Sequence, residues 1–143
     1  MKNLWNRKPA GNFFPLPNVI FGLDLLPGEI AVYAYLMYRE NRQTYQCHPS
    51  YATIGRAIHM SPNTVRKYVS SLVEKRLIYT EPTSIITKKG EKRNGSLLYT
   101  ILPIQFSIDQ FYQRQFNAAE LARERQQAAK RMEQYVQKGG AKC

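Results

Sequence analysis

The side chains best suited to chemistry in this chain grip phosphate or read the edges of bases. They are Ser50, Tyr51, Ser61, Asn63, Thr64, Arg66, Lys67, Lys88, Lys89, Lys92 and Arg93. Asn forms two hydrogen bonds with adenine, and Thr touches the methyl group of thymine. Arg66 and Lys67 suit base edges or phosphates. Ser50 and Tyr51 open a helical pattern, where free backbone N–H groups hold a phosphate and two hydroxyls add to the grip. The four cations between Lys88 and Arg93 face a single acid, Glu91. Each phosphate they neutralise adds about −0.9 to the slope of log affinity against log salt. Plain readings stand beside these. A string such as S-P-N-T-V-R-K is by itself ordinary helix surface. A basic loop keeps a hairpin tip soluble, and Tyr51 packs on its own domain.

Catalysis has little to work with. The chain contains no G-x-x-x-x-G-K phosphate loop, no paired-histidine metal motif and no nucleophile elbow. Cys47 and His48 are adjacent, but no second Cys/His pair stands at zinc spacing and His59 is alone. No enzyme activity, cofactor or metal is therefore expected. The 143 residues fit one domain with an appendage, and an apolar content of 43% supports a real core. A formal charge of +11 favours a polyanionic partner, nucleic acid or an anionic membrane surface. The longest apolar region, Val19 to Tyr38, is broken by Asp24, Pro27, Gly28 and Glu29 and does not span a bilayer. Met1 to Pro9 leads into no apolar run, so it is not a secretory signal. Two cysteines, Cys47 and Cys143, form no paired framework, which points to a reducing cytosol.

The elements that position the polar residues are legible in outline. Phe13 to Leu26 is apolar but interrupted by Pro15 and Pro17, which predicts an extended piece with a helical turn. Pro27 to Glu40 reads as a helix with a buried stripe of Ile30, Tyr33, Ala34 and Met37. Thr44 to His48 reads as a short strand closing on a later hairpin. Ser50 caps a second helix reaching His59, with Ala52, Ile54, Ala57 and Ile58 inward. Gly55 within it lets the next helix approach closely. Ser61 caps a third helix, Pro62 takes its first position, and Val65, Tyr68, Val69 and Leu72 face inward. That leaves Asn63, Thr64, Arg66, Lys67, Ser70 and Ser71 outward.

Leu77 to Ile86 and Ser96 to Leu102 read as two strands around the polar turn 88–95, with Pro82 marking an edge or bulge. Ser107 with Gln110 resembles a capping box, and Phe106 with Phe111 a hydrophobic staple. The pattern beyond runs to about Lys138, a helix of roughly 45 Å that exceeds a small domain's width. Ala118, Leu121, Ala122, Ala128, Ala129, Met132, Tyr135 and Val136 lie near one stripe of it, which Arg125 interrupts. The stripe is a poor coiled-coil seam; it supports a dimer or belongs to a solvated helix that frays, and self-association is favoured because two copies match a two-fold DNA site.

Two helices joined by a tight turn, the second basic and followed by a basic hairpin, are the layout of a helix-turn-helix with a wing. Residues 13–103 resemble the winged helix-turn-helix family of bacterial mobile elements, plasmids and phages. The likeness rests on Leu26-Pro27-Gly28-Glu29-Ile30-Ala31, Pro49-Ser50-Tyr51 with Ile54-Gly55, Ser61-Pro62-Asn63-Thr64-Val65-Arg66-Lys67-Tyr68, and Leu72, Lys75, Leu77 and Ile78. One departure is Leu26, where a small capping residue is expected before Pro27. The resemblance implies a helix in the major groove and a wing beside it, in a DNA-binding regulator or a replication-initiator-like protein.

The expected fold is therefore mainly α with a small β-hairpin, a winged helix-turn-helix with a long C-terminal helix. The expected organisation is a flexible arm (1–12), the winged domain (13–103), a C-terminal helical segment that pairs two copies (104–138) and a disordered tail (139–143). The expected partner is double-stranded DNA, bound by a cytoplasmic, nucleoid-associated homodimer without membrane contact. Transcription regulation comes first among the functions. Replication initiation on a plasmid or mobile element uses the same residues, and a winged-helix protein–protein module is the third reading.

Overall fold

Apolar residues at helical spacing build three helices around one core, and a small sheet closes it. The computed structural model describes residues 12–140, which divide into two units, one ending at Ser107 and the next starting at Ile108. The elements in order are a 3-10 turn at Asn18–Gly22, α1 (Pro27–Arg39), β1 (Gln46–Cys47), α2 (Tyr51–Ile58) and α3 (Pro62–Glu74). Then come β2 (Ile78–Glu81), β3 (Ser84–Ile86), β4 (Lys92–Asn94), β5 (Leu98–Ile101), α4 (Ile104–Tyr135) and a π-helical turn at Val136–Gly140. The flexible arm and most of the tail expected from the sequence lie outside the described residues.

β1, β5 and β2 form an antiparallel sheet in that order, with Cys47 opposite Tyr99 and Ile78 opposite Ile101. β3 and β4 make a separate two-stranded ribbon. This is a winged helix-turn-helix, mainly α with a small antiparallel sheet and a long C-terminal helix. The core joins Val32, Tyr33 and Leu36 of α1 to Ile54, Val65, Val69 and Leu72, with Ile20 from the 3-10 turn, Leu23 just after it and Tyr99 from β5. Cys47 is buried in β1, where its thiol donates to the Leu36 carbonyl at 3.6 Å. Burial pushes that thiol up to about 11, so it is an inert core residue.

The buried stripe of α1 is rotated by one residue from the expected one. Gly28, Glu29, Val32, Tyr33 and Leu36 are buried, whereas Ile30, Ala34 and Met37 are only partly so. The reason is Glu29, whose side chain is 1% exposed and ion-paired with Lys75 at the end of α3. Lys75 Nζ donates to Oε1 at 3.0 Å, and it lies 2.9 Å from Oε2. Oε1 also accepts the Leu26 backbone N–H at 3.3 Å. That bond is the glutamate half of a capping box; Leu26 itself supplies no side-chain cap. Beside it, a Cβ on Gly28 would collide with the Tyr68 ring.

Four further expectations are corrected. Ala52 and Ala57 are exposed, because the short α2 buries only Ile54 and Gly55 fully. The long hairpin is split at Pro82, which cannot donate to a ladder. The wing turn is shorter than 88–95, because Lys92, Arg93 and Asn94 pair as β4 with β3. Ser107 does not start the last helix: α4 begins at Ile104, directly after Pro103, and Ser107 is buried in its first turn. At about 1.5 Å per residue α4 is about 48 Å long, and every described residue from Tyr112 to Gly139 is exposed.

Glu40 closes α1 as its C-cap, and its Oε2 is buried without a hydrogen-bond partner. Burial raises its carboxyl above the usual range, while Arg42 draws it partly back. The folded state therefore holds this proton more tightly than the unfolded chain. Stability contributed here falls as pH rises from the ordinary carboxylate range through the raised folded value.

Two predictions follow from these charges. Lys75→Met strands the Glu29 carboxylate and should cost about 3 kcal/mol or more, read as a lower urea midpoint. Glu40→Gln should raise the melting temperature at pH 7, and the gain should vanish in acid, where wild-type Glu40 is protonated in both states. An equal gain at both pH values would contradict the charge argument.

Candidate nucleic-acid interface

The positions of the polar residues are set by two serine caps and two left-handed residues. Ser50 Oγ accepts the Thr53 N–H at 3.1 Å and opens α2. Ser61 Oγ accepts the Thr64 N–H at 3.2 Å and opens α3, with Pro62 in the first turn. Each serine hydroxyl also meets the threonine hydroxyl three residues on, at 2.9 Å for Thr53 and 2.8 Å for Thr64. α2 ends at His59 in the left-handed region (φ 60°), and the Met60 N–H returns to the Gly55 carbonyl at 2.9 Å. α3 ends the same way at Arg76 (φ 57°), with the Leu77 N–H donating to the Leu72 carbonyl at 3.0 Å. These are Schellman-type terminations; the first holds the α2–α3 turn to a few residues, and the second turns the chain from α3 into β2. The close approach at Gly55 is made by the turn and not by α3: a Cβ there would strike the Met60 carbonyl, while Val65 stands at an ordinary contact distance.

α3 is two-faced. Val65, Val69 and Leu72 are buried, with Tyr68 partly so, while Asn63, Arg66, Lys67 and Ser70 are exposed. Thr64 is half-buried and engaged with Ser61. Arg66 and Lys67 are not sealed beneath the rest of the chain.

The wing is a three-residue hairpin loop. The Thr87 N–H donates to the Glu91 carbonyl and the Gly90 N–H to the Thr87 carbonyl, both at 2.9 Å. Gly90 takes φ 79°, as the third loop position of such a hairpin requires. Lys88 and Lys89 thus occupy the tip. Ile85 lies opposite Arg93 and Ile86 opposite Lys92, so Lys92 and Asn94 share one face of β4 and Arg93 takes the other. Arg93 approaches Glu91 at 3.6 Å with both side chains largely exposed, a contact worth little.

A cleft of about 470 Å³ joins the pieces. It is lined by Ser50 and Tyr51 from the start of α2, Arg66 from α3, and Asn94 to Leu97 with Tyr99 from the base of the wing. Of the residues singled out in the sequence, Ser50, Tyr51 and Arg66 meet in this cleft. Asn63 and Lys67 lie along exposed α3, and the four wing cations line β4 and the loop tip. Asn94 and Ser96 were missed. Both lay in or beside a stretch read as turn, and only strand pairing of 92–94 brings them beside α2. Tyr99 floors the cleft, with its phenol raised by burial and by the neighbouring Tyr51 and Cys47.

Residues 23–78 match a family model described as a helix-turn-helix domain. No curated protein matches the chain. A solved structure described as "Possible transcriptional regulator from Methanosarcina mazei Go1" is similar at 17% identity. The match covers 75% of this chain and 82% of that one, with a TM-score of 0.49. Among the described residues no helix is long and apolar enough to cross a membrane, and no group of three metal-ligating side chains occurs.

Gly55→Ala tests the turn that sets α3. On helix propensity alone the change should stabilise by about 1 kcal/mol. The collision with the Met60 carbonyl should reverse that sign, so chemical denaturation is expected to show a net loss.

Proposed function

We propose that this chain binds double-stranded DNA through α3 and the wing and acts as a transcription regulator. The observation that carries the reading is the pairing of a locked inner face of α3 with an exposed face of Asn63, Arg66 and Lys67. That face adjoins a cleft bounded by the start of α2 and the base of the wing. α3 is the element that enters the major groove, with Asn63, Thr64, Arg66 and Lys67 near its N-terminal end, the part that meets base edges in such motifs. The backbone N–H groups at the start of α2, beside Ser50 and Tyr51, take a phosphate. Lys88, Lys89, Lys92 and Arg93 hold the flanking backbone. Ser50 and Ser61 contribute mainly by fixing their helices, since both hydroxyls are engaged in caps.

α4 pairs two copies. Leu121, Ala128, Met132 and Tyr135 fall along one stripe, and each is exposed. A two-fold dimer matches two half-sites on DNA. The protein is a binding protein and not an enzyme, and it works in the cytoplasm on the nucleoid.

Two measurements test this reading. Fragments selected from genomic DNA should share a palindromic site. Arg66→Ala should weaken binding to it by about tenfold or more. Lys92→Ala should weaken specific and random duplex alike and lower the salt slope by about 0.9. Because Lys92 shares its face with Asn94 at the cleft, it should matter more than Arg93. Affinity indifferent to salt, or unchanged in Arg66→Ala/Lys67→Ala, sinks the assignment. For α4, sedimentation equilibrium should show a dimer that Met132→Glu converts to a monomer; a monomeric wild type would remove the pairing role.

A further inference from the structure

Among the described residues the most exposed large apolar side chain is Ile86, at 78%. It ends β3 and adjoins the wing loop. A lone exposed aliphatic is ordinary on a protein surface; the setting of this one is not. Lys92 lies directly opposite Ile86, and Asn94 opposite Ser84, so these four side chains share one face of the ribbon. Asn94 lines the cleft that also takes Arg66 and the start of α2. The face carrying Ile86 therefore continues the DNA surface, whereas Ile85 and Arg93 take the other face. Lys88 and Lys89 follow at the loop tip, and like Lys92 they are exposed. Strand preference does not call for isoleucine here, because threonine has the same preference and is at home in water. Three ammonium groups around one aliphatic tip fit an anionic surface with an apolar interior. A membrane is such a surface, but one isoleucine buries far less than a single acyl chain, which itself anchors only marginally. The minor groove is another: at about 6 Å wide it admits one side chain between two rows of phosphates.

We propose that Ile86 enters the minor groove beside the α3 site and makes the wing selective for A·T pairs there, an inference that rests on the DNA-binding reading above. Lys88, Lys89 and Lys92 hold the phosphates along the rims. The charges select nothing; the apolar tip does. Every base pair shows acceptors on the floor of this groove, and G·C adds one donor, the guanine N2 amino group. An aliphatic side chain on the floor strips water from all of these. The cost at the acceptors is common to both kinds of pair and cancels. The cost at the amino group falls on G·C alone, because isoleucine offers it no acceptor.

The test uses the full chain and duplexes carrying a half-site selected from genomic DNA, with flanks of A·T, G·C or I·C pairs, compared by fluorescence anisotropy. Hypoxanthine is guanine without its N2 amino group, so I·C keeps the major groove of G·C and the minor-groove floor of A·T. The A·T and I·C flanks should bind alike, and the G·C flank about tenfold more weakly. Ile86→Thr keeps the β-branch and supplies a hydroxyl that accepts from the amino group, so it should bring the three flanks within about twofold. Ile85→Thr, on the opposite face, should keep the full discrimination. Circular dichroism confirms that both variants are folded. Equal binding of the three flanks, an I·C flank that behaves as G·C, or discrimination that survives Ile86→Thr overturns the proposal and leaves the DNA reading standing. Absence of binding to any duplex overturns both. Sedimentation of the chain with phosphatidylserine vesicles, lost in Ile86→Thr, assigns the tip to a membrane and overturns the proposal as well.

Discussion

Lys75 and Glu29 fix where α3 sits. An apolar stripe permits sliding, since one turn of displacement replaces one aliphatic contact with another. A carboxylate at 1% exposure permits none. Its partner is at hand only when the first turn of α1 faces Lys75, the residue that caps the end of α3, and a slip of about 5.4 Å, one turn, leaves a buried charge alone. Gly28 adds a steric condition at the same place, because only a residue without a Cβ accepts the Tyr68 ring there. The polar face of α3 is therefore aimed from behind, by residues that never reach the surface it presents.

Much of this was legible from local chemistry. Ser50, Ser61 and Pro62 announce helix starts because a hydroxyl acceptor and a fixed φ satisfy demands present in any helix. Val65, Val69 and Leu72 announce the inner face of α3 because their spacing matches its turn. From those two facts the outward residues Asn63, Arg66 and Lys67 follow without tertiary information. Gly55 was legible for a similar reason: a helix-weakening residue is tolerated where the chain must pass close by.

The remainder depended on contacts distant in sequence. Nothing local marks Glu29 as a core residue; only Lys75, 46 residues away, makes it one. That reassignment turns the α1 stripe by one position. Ala52 and Ala57 have the spacing of a buried face, but alanine's small side chain does not reveal whether anything covers it. In the wing, Pro82 marked a disturbance. The pairing of Lys92 to Asn94 with Ser84 to Ile86 was hidden, because exposed strands carry no apolar alternation. Asn94 and Ser96 reach the cleft only through that pairing, which is why its wing side was missed. α4 starts at Ile104 because Pro103 stops the preceding strand, and this outweighs the capping pattern at Ser107.

On the proposed reading, the two halves of the DNA face do different physical work. The wing cations are exposed and the ion pair of Arg93 with Glu91 is long, so they act in high dielectric and exchange partners freely. Such charges supply affinity and steering that salt removes, with little dependence on sequence. α3 is backed by a buried pair, two caps and close-packed valines, so its side chains start from nearly fixed positions. Hydrogen bonds to base edges discriminate only when the donors cannot relax to suit a wrong base. A loose basic ribbon beside a rigid helix thus divides attraction from selection, and the rigidity comes from the interior contacts of α1.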